Sequence, residues 1–162
     1  MITEIKAPNP IPKDLHYMPT IFTAGSIDMG AAKDWQQEFK EGMEGGLDAV
    51  ILNPRRNDWD SSWVQSISNP QFREQVEWEL DHLTSSEIVI FYFDPDSKSP
   101  ITLLELGLVA KSNTRSVVVC CPPGYWRRGN VEVVCSKYHL MLVSSMEELI
   151  SITKDFLADE YS

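Results

Sequence analysis

The chain has 162 residues, 43% of them hydrophobic and 23% charged, the size and balance of one globular domain with a sizeable core. Fourteen Lys and Arg against 24 Asp and Glu leave a net charge of −10. A field of that sign repels phosphate backbones, which argues against a nucleic-acid polymer as partner and leaves small nucleosides open.

The apolar runs are too short for a membrane span, and the N-terminal residues lack the basic-then-apolar pattern of a secretion signal. Of the three cysteines, Cys120 and Cys121 are adjacent. Such a set makes a poor disulfide framework and points to a reducing, cytoplasmic setting. The histidines His16, His82 and His139 are far apart and pair with no cysteine at ligand spacing, so no metal site is expected.

Residues 1–18, with Pro8, Pro10 and Pro12, read as an extended lead-in, and residues 19–162 as a single domain. A short apolar strand is predicted over 20–25, ending at Gly25. A helix over 31–45 stops at Gly45 and Gly46. A strand over 48–53 leads into a long loop, 54–68, rich in Trp, Asp, Arg and Ser. Pro70 starts a helix over 70–84.

The β-branched and aromatic run 87–93 reads as a strand buried on both faces. A helix follows over 99–112, with Ser99 as its cap and Pro100 in its first turn. Residues 116–121 form another buried strand, and a loop with Pro122, Pro123 and Gly124 leads to a short segment near 130–136. A last strand, 139–143, precedes an amphipathic helix over 144–161 that begins on serine. Five strands alternating with helices predict an open parallel sheet of the α/β class, whose ligands gather beyond the carboxyl ends of the strands. The turn after the first strand carries two glycines but matches neither a dinucleotide fingerprint nor a phosphate-binding P-loop.

The informative residue is Glu105. Ile101, Leu104, Glu105 and Leu108 share one helical face, and Leu103, Leu106, Val109 and Ala110 fill the other. The helix is therefore expected to be buried nearly all round, with Glu105 the one charge between Lys98 and Lys111. A carboxylate in such a place costs several kcal/mol unless compensated, and is retained where its chemistry is used or where an arginine or a solvated gap accommodates it. In the preceding helix Phe72, Val76, Leu80 and Leu83 form the apolar stripe, with Gln75, Glu79 and His82 along its edge and Glu74, Glu77 and Asp81 outward. Both helices flank the strand 87–93, so Glu79 and Glu105 are placed to converge. Two carboxylates of different burial suit acid-plus-nucleophile chemistry at a sugar acetal carbon. Asp58, Trp59, Asp60 and Trp63 in the long loop suit stacking on a flat base and bonding to its edge, and equally suit a surface loop pinned by two half-buried tryptophans. Asp94 and Asp96 read as turn chemistry.

The segments AGSIDMG, ILNPRRNDWDSSW and SPITLLELGL, in that order, resemble the nucleoside 2-deoxyribosyltransferase family, whose superfamily includes 2′-deoxynucleoside 5′-monophosphate N-glycosidases. The likeness covers the chain from about Ile21 to Leu149. It implies a flavodoxin-like doubly wound sheet of about five parallel strands with helices on both faces, Glu105 as nucleophile and Glu79 as the acid at the base. Gly25, Ser26 and Asp28 would lie in the first sugar-facing loop. Ser99 would stand at a position where transferases commonly carry an aspartate and the monophosphate glycosidases a serine. Asn130 would reach the sugar from a neighbouring subunit, so a homo-oligomer with shared sites is implied.

The expected activity is exchange of 2-deoxyribose between nucleobases through a covalent glutamyl intermediate, on a deoxynucleoside and a free base, without metal or cofactor. Asp28 argues against a 5′-phosphate, while Arg127 and Arg128 argue for one. Hydrolysis of the nucleoside or its monophosphate is the rival activity. A non-catalytic nucleotide-sensing module is the rival class.

Overall fold

The computed structural model describes residues 1–27, 33–112 and 115–161. Six strands lie in one parallel sheet: β1 (Ile2–Lys6), β2 (Thr20–Gly25), β3 (Ala49–Asn53), β4 (Ile88–Tyr92), β5 (Ser116–Cys120) and β6 (Met141–Val143). Five helices connect them: α1 (Trp35–Met43), α2 (Pro70–Ser85), α3 (Pro100–Ser112), α4 (Arg128–Tyr138) and α5 (Met146–Tyr161). The order β1-β3-β2-β4-β5-β6 contains, from β3 onward, the flavodoxin-like sequence of strands.

The strand count is six rather than five. The extra strand comes from the lead-in, where Ile2–Lys6 pairs along β3 from Ile2 opposite Ala49 to Lys6 opposite Asn53. Its residues are mostly half-buried, as an edge strand's are. That explains why its apolar signal is weak beside the fully buried β3 and β4. The segment near 130–136 is the eleven-residue helix α4, and α1 is shorter than the 31–45 expected, starting at Trp35 behind Asp34, whose side chain accepts from the Gln37 N–H.

Alternation along the strands feeds two cores. Val89, Phe91 and Phe93 face the helices α2, α3 and α4 through Trp78, Leu83, Leu106, Val109, Val131 and Cys135. Ile88, Ile90 and Tyr92 face α1 and α5 through Trp35, Phe39, Leu149 and Leu157. Ser145 precedes α5 as its cap, its hydroxyl oxygen accepting the Glu148 N–H at 3.2 Å and its O–H donating to the Glu148 carboxylate at 3.0 Å.

Sheet order reverses between β2 and β4, which are neighbours although β3 intervenes in sequence. At such a switch point the connections leave in opposite directions and open a crevice above the strand ends. Trp35 closes its α1 side: the indole is fully buried, stacks on Tyr92 at 5.0 Å and donates to the Ser26 carbonyl at 3.0 Å. A methyl group on Gly25 would overlap this indole and come within 2.6 Å of the Tyr92 carbonyl. Gly25 is therefore set by packing of the α1 side. Gly25→Ala forces the indole or β4 to move and is expected to cost about 2 kcal/mol of stability, measured as a lowered denaturant midpoint with an unchanged slope.

Candidate active site

Glu105 sits in the second turn of α3 and is 7% exposed. Its helix is not buried all round, as the sequence suggested. Ile101, Leu104 and Leu108 are exposed, and the inward face is Thr102, Glu105, Leu106, Val109 and Ala110. Glu105 thus lies on the buried side of a helix whose apolar residues outnumber the available core positions. Among the described residues no cation pairs with it, which removes the arginine-locked alternative. Burial pushes its carboxyl well above the ordinary 4.5, and the charge of Glu79 pushes it further.

That repulsion puts the two carboxyls within electrostatic reach of each other, on the helices α2 and α3 that pack together. Glu79 is raised to about 7, chiefly by burial, against a hydrogen bond from Gln75 that favours its anion. Two carboxyls so close cannot both ionise cheaply, so they titrate as a pair. The buried face of α2 is Gln75, Trp78 and Leu83, rotated from the predicted stripe: Leu80 is exposed, and Phe72 and Val76 are half-buried. Trp78 takes the central position by packing on Phe22 and on His82. Glu74, Glu77 and Asp81 are exposed as expected.

The floor of the crevice is a chain of buried hydroxyls. Ser26 and Ser99 share a short hydrogen bond, Ser99 and Ser97 are 3.0 Å apart, and Ser26 Oγ accepts the Asp94 N–H at 3.0 Å. Ser99 therefore does not cap α3 with its side chain; its hydroxyl is taken by Ser26 and Ser97. It sits at φ +49°, a left-handed conformation that a side chain adopts at some cost and that is typical of residues whose direction matters. Asp94 Oδ1 accepts the Asp96 N–H at 2.9 Å, the turn role expected of this pair.

Two consecutive arginines brace the surrounding loops in opposite directions. Arg55 bonds to Gln36 and to the Lys33 carbonyl beside α1. Arg56, its side chain 5% exposed, holds both oxygens of Asp58 at 2.9 and 3.0 Å and Glu74 of α2 at 3.1 Å. The guanidinium of Arg56 also lies 5.0 Å from the Trp63 ring, whose edge meets Trp59 at 5.0 Å. Asp58 is thus engaged by Arg56, and Asp60 Oδ1 turns back to the Ser62 N–H at 2.8 Å. Neither carboxylate is brought to Glu105, while Trp59 and Trp63 are half-buried in the loop. Sequence reasoning missed the bracing role of the two arginines; their placement between an apolar strand and an aromatic loop was the available signal.

Asn130 lies on the other flank of α3, in a groove of roughly 460 Å³ lined by Leu103, Gly107, Trp126, Arg127 and Val134. Glu105 is not among the residues that line this groove. Arg128 turns inward to the Cys121 carbonyl and to Glu132, whereas Arg127 stacks over Trp126 at 4.4 Å. Asp28 lies outside the described residues. No group of three or more His, Cys, Asp or Glu among the described residues is placed to hold a metal ion, and no helix there is long and apolar enough to cross a membrane.

The model of the family described as nucleoside 2-deoxyribosyltransferase like matches residues 18–125, well over half of the chain and a span that holds both carboxylates. The chain belongs to this family. A crystal structure of a conserved protein from Enterococcus faecalis V583 shares the fold, with a TM-score of 0.59 at 15% identity, covering 85% of this chain and 98% of that one. No curated protein matches the chain.

A raised carboxyl makes a signed prediction about stability. Above pH 4.5 the folded chain keeps a proton on Glu105 that the unfolded chain has released, so its contribution falls as pH rises toward the folded value. Glu105→Gln is expected to melt several degrees higher than wild type at pH 8 and with no such gain at pH 4, read by calorimetry.

Proposed function

We propose that the protein transfers 2-deoxyribose between nucleobases by a double displacement at Glu105. The observation that carries this reading is the buried carboxyl of Glu105, acted on by the charge of the half-buried Glu79, with no cation paired to either among the described residues. Such a pair shares a proton and resists a second negative charge, and the transfer uses the state with that proton on Glu79 and Glu105 ionised. Glu105 attacks C1′ as the C1′–N bond breaks, and Glu79 gives its proton to the departing base. The result is a glutamyl–deoxyribose ester, free base and an ionised Glu79. An incoming base then attacks C1′ from the vacated face, returns a proton to Glu79 and releases the Glu105 carboxylate, so two inversions retain the configuration.

Ser26, Ser97 and Ser99 form the surface facing the sugar, with the Gly25 backbone beside them, and the Trp59–Trp63 loop, held by Arg56 with Asp58 and Asp60 in its turns, covers the base. A second reading, hydrolysis of a 5′-monophosphate, draws on the hydroxyls of Ser97 and Ser99 before α3 and of Ser26 after β2, a surface suited to phosphate oxygens; Asp94, buried beside them, disfavours that charge.

Two features favour a homo-oligomer with shared sites. Asn130 lines a groove to which its own Glu105 does not contribute, and the exposed Ile101, Leu104 and Leu108 supply an apolar stripe for a second copy. Three free, buried cysteines suit a reducing cytoplasm.

Incubating a deoxynucleoside with a second base separates the activities: a new nucleoside means transfer, free sugar or sugar phosphate means hydrolysis. Glu105→Ala and Asn130→Ala proteins are each expected to lose base exchange by about 10³-fold or more. Mixed after denaturation and refolding, they are expected to recover about a quarter of wild-type activity, because each mixed dimer has one intact site. An active Glu105→Ala protein contradicts the mechanism, and failure to complement contradicts the shared site alone.

A further inference from the structure

Gln75 is 4% exposed and lies one helical turn before Glu79 on α2. Its Nε2 donates to the Pro54 carbonyl at 2.7 Å and to Glu79 Oε1 at 3.0 Å. A carbonyl oxygen only accepts, so the amide nitrogen must face Pro54, and this fixes which end of the amide points where. Both amide hydrogens are then committed, one to the loop root and one to the carboxyl. The other end, Oε1, is buried with no partner among the described residues, so the orientation is held at the cost of an unsatisfied acceptor. Simple core filling gives no reason to keep such a group.

We infer that Gln75 is a positioning residue: pinned by the Pro54 carbonyl, it occupies one oxygen of Glu79 and confines the transferable proton to the other. The inference rests on the proposed reading of Glu79 as the acid. Pro54 is the first residue after β3 and the root of the loop that carries Trp59 and Trp63, so one amide ties the aromatic cover to the acid. Among the charged groups around Glu79, Glu105 on α3 is the one its charge acts on. Arg56 of the loop is engaged by Asp58 and Glu74, and His82 on α2 packs on Trp78.

Gln75→Met keeps length and bulk and removes both donors; Gln75→Leu is a second apolar variant should the first fold poorly. The assay compares a deoxynucleoside with 4-nitrophenyl 2-deoxyriboside, whose leaving group departs without a proton. The expected result is a loss in kcat of about tenfold or more on the nucleoside with little change on the nitrophenyl substrate. The alkaline limb of the nucleoside profile moves to higher pH, because the donor that steadied the Glu79 anion is gone. Equal losses on both substrates, or an unmoved limb, overturn the inference. Carbon-13 titration of the Glu79 side-chain carboxyl, assigned with Glu79→Gln, reads the same contact without turnover. Should the wild-type protein act on neither substrate, the functional reading falls, and an unchanged titration in Gln75→Met then overturns the positioning role by itself.

Discussion

The structure turns on two carboxyls placed where a protein interior tolerates them badly. Glu105 on α3 and Glu79 on α2 lie within electrostatic reach, and each is held above its ordinary ionisation range by burial, with the charge of Glu79 adding to the shift of Glu105. Burying an ion without a counter-ion costs several kcal/mol in real proteins, and here neither carboxyl has a paired cation among the described residues. Arginines are nearby, yet Arg55 and Arg56 are spent on the loops. The pair is thus left with a proton to share, and the chemistry proposed for it needs that unneutralised state.

The fold accounts for how the pair is maintained. The doubly wound sheet opens a crevice where the connections from the paired strands β2 and β4 leave in opposite directions, and the helices α2 and α3 pack into the larger core through Trp78, Leu106 and Val109. Anchoring on the far side comes from Trp35 against Gly25 and Tyr92. Loops that lack regular structure are fixed by charge instead. Arg56 links Asp58, Glu74 and Trp63, so an aromatic cover otherwise exposed to solvent is tied to the helix that carries Glu79. Hydroxyls rather than cations line the remaining wall, in the chain Ser26–Ser99–Ser97.

Much of this was legible in the sequence because its signals are strong and local. The runs that became β3, β4 and β5 are apolar on both faces, and Pro70 and Pro100 mark helix starts at α2 and α3. Glu105 stood out because it interrupts an oily helix, and Glu79 because it borders an apolar stripe. What failed did so for want of tertiary context. β1 is an edge strand with half-buried residues and pairs with a partner more than 40 residues away. On α3 the sequence cannot say which of two apolar faces meets the sheet, and the exposed one proved to be Ile101, Leu104 and Leu108. The roles of Arg55, Arg56 and Gln75 are contacts between distant segments, invisible to periodicity. Ser99 obeys the composition rule for a cap, yet the nearby hydroxyl of Ser26 captured its side chain instead.

The central claim is that Glu105 bonds covalently to the sugar. A 2′-fluoro arabino analogue of a deoxynucleoside slows release of the intermediate by destabilising its oxocarbenium-like transition state, so intact-mass measurement after mixing tests the claim directly. The account predicts an added mass of one fluorinated sugar, mapped by peptide fragmentation to Glu105 and discharged by adding a free base. Turnover with no adduct and net inversion at C1′, or an adduct on any other residue, contradicts it.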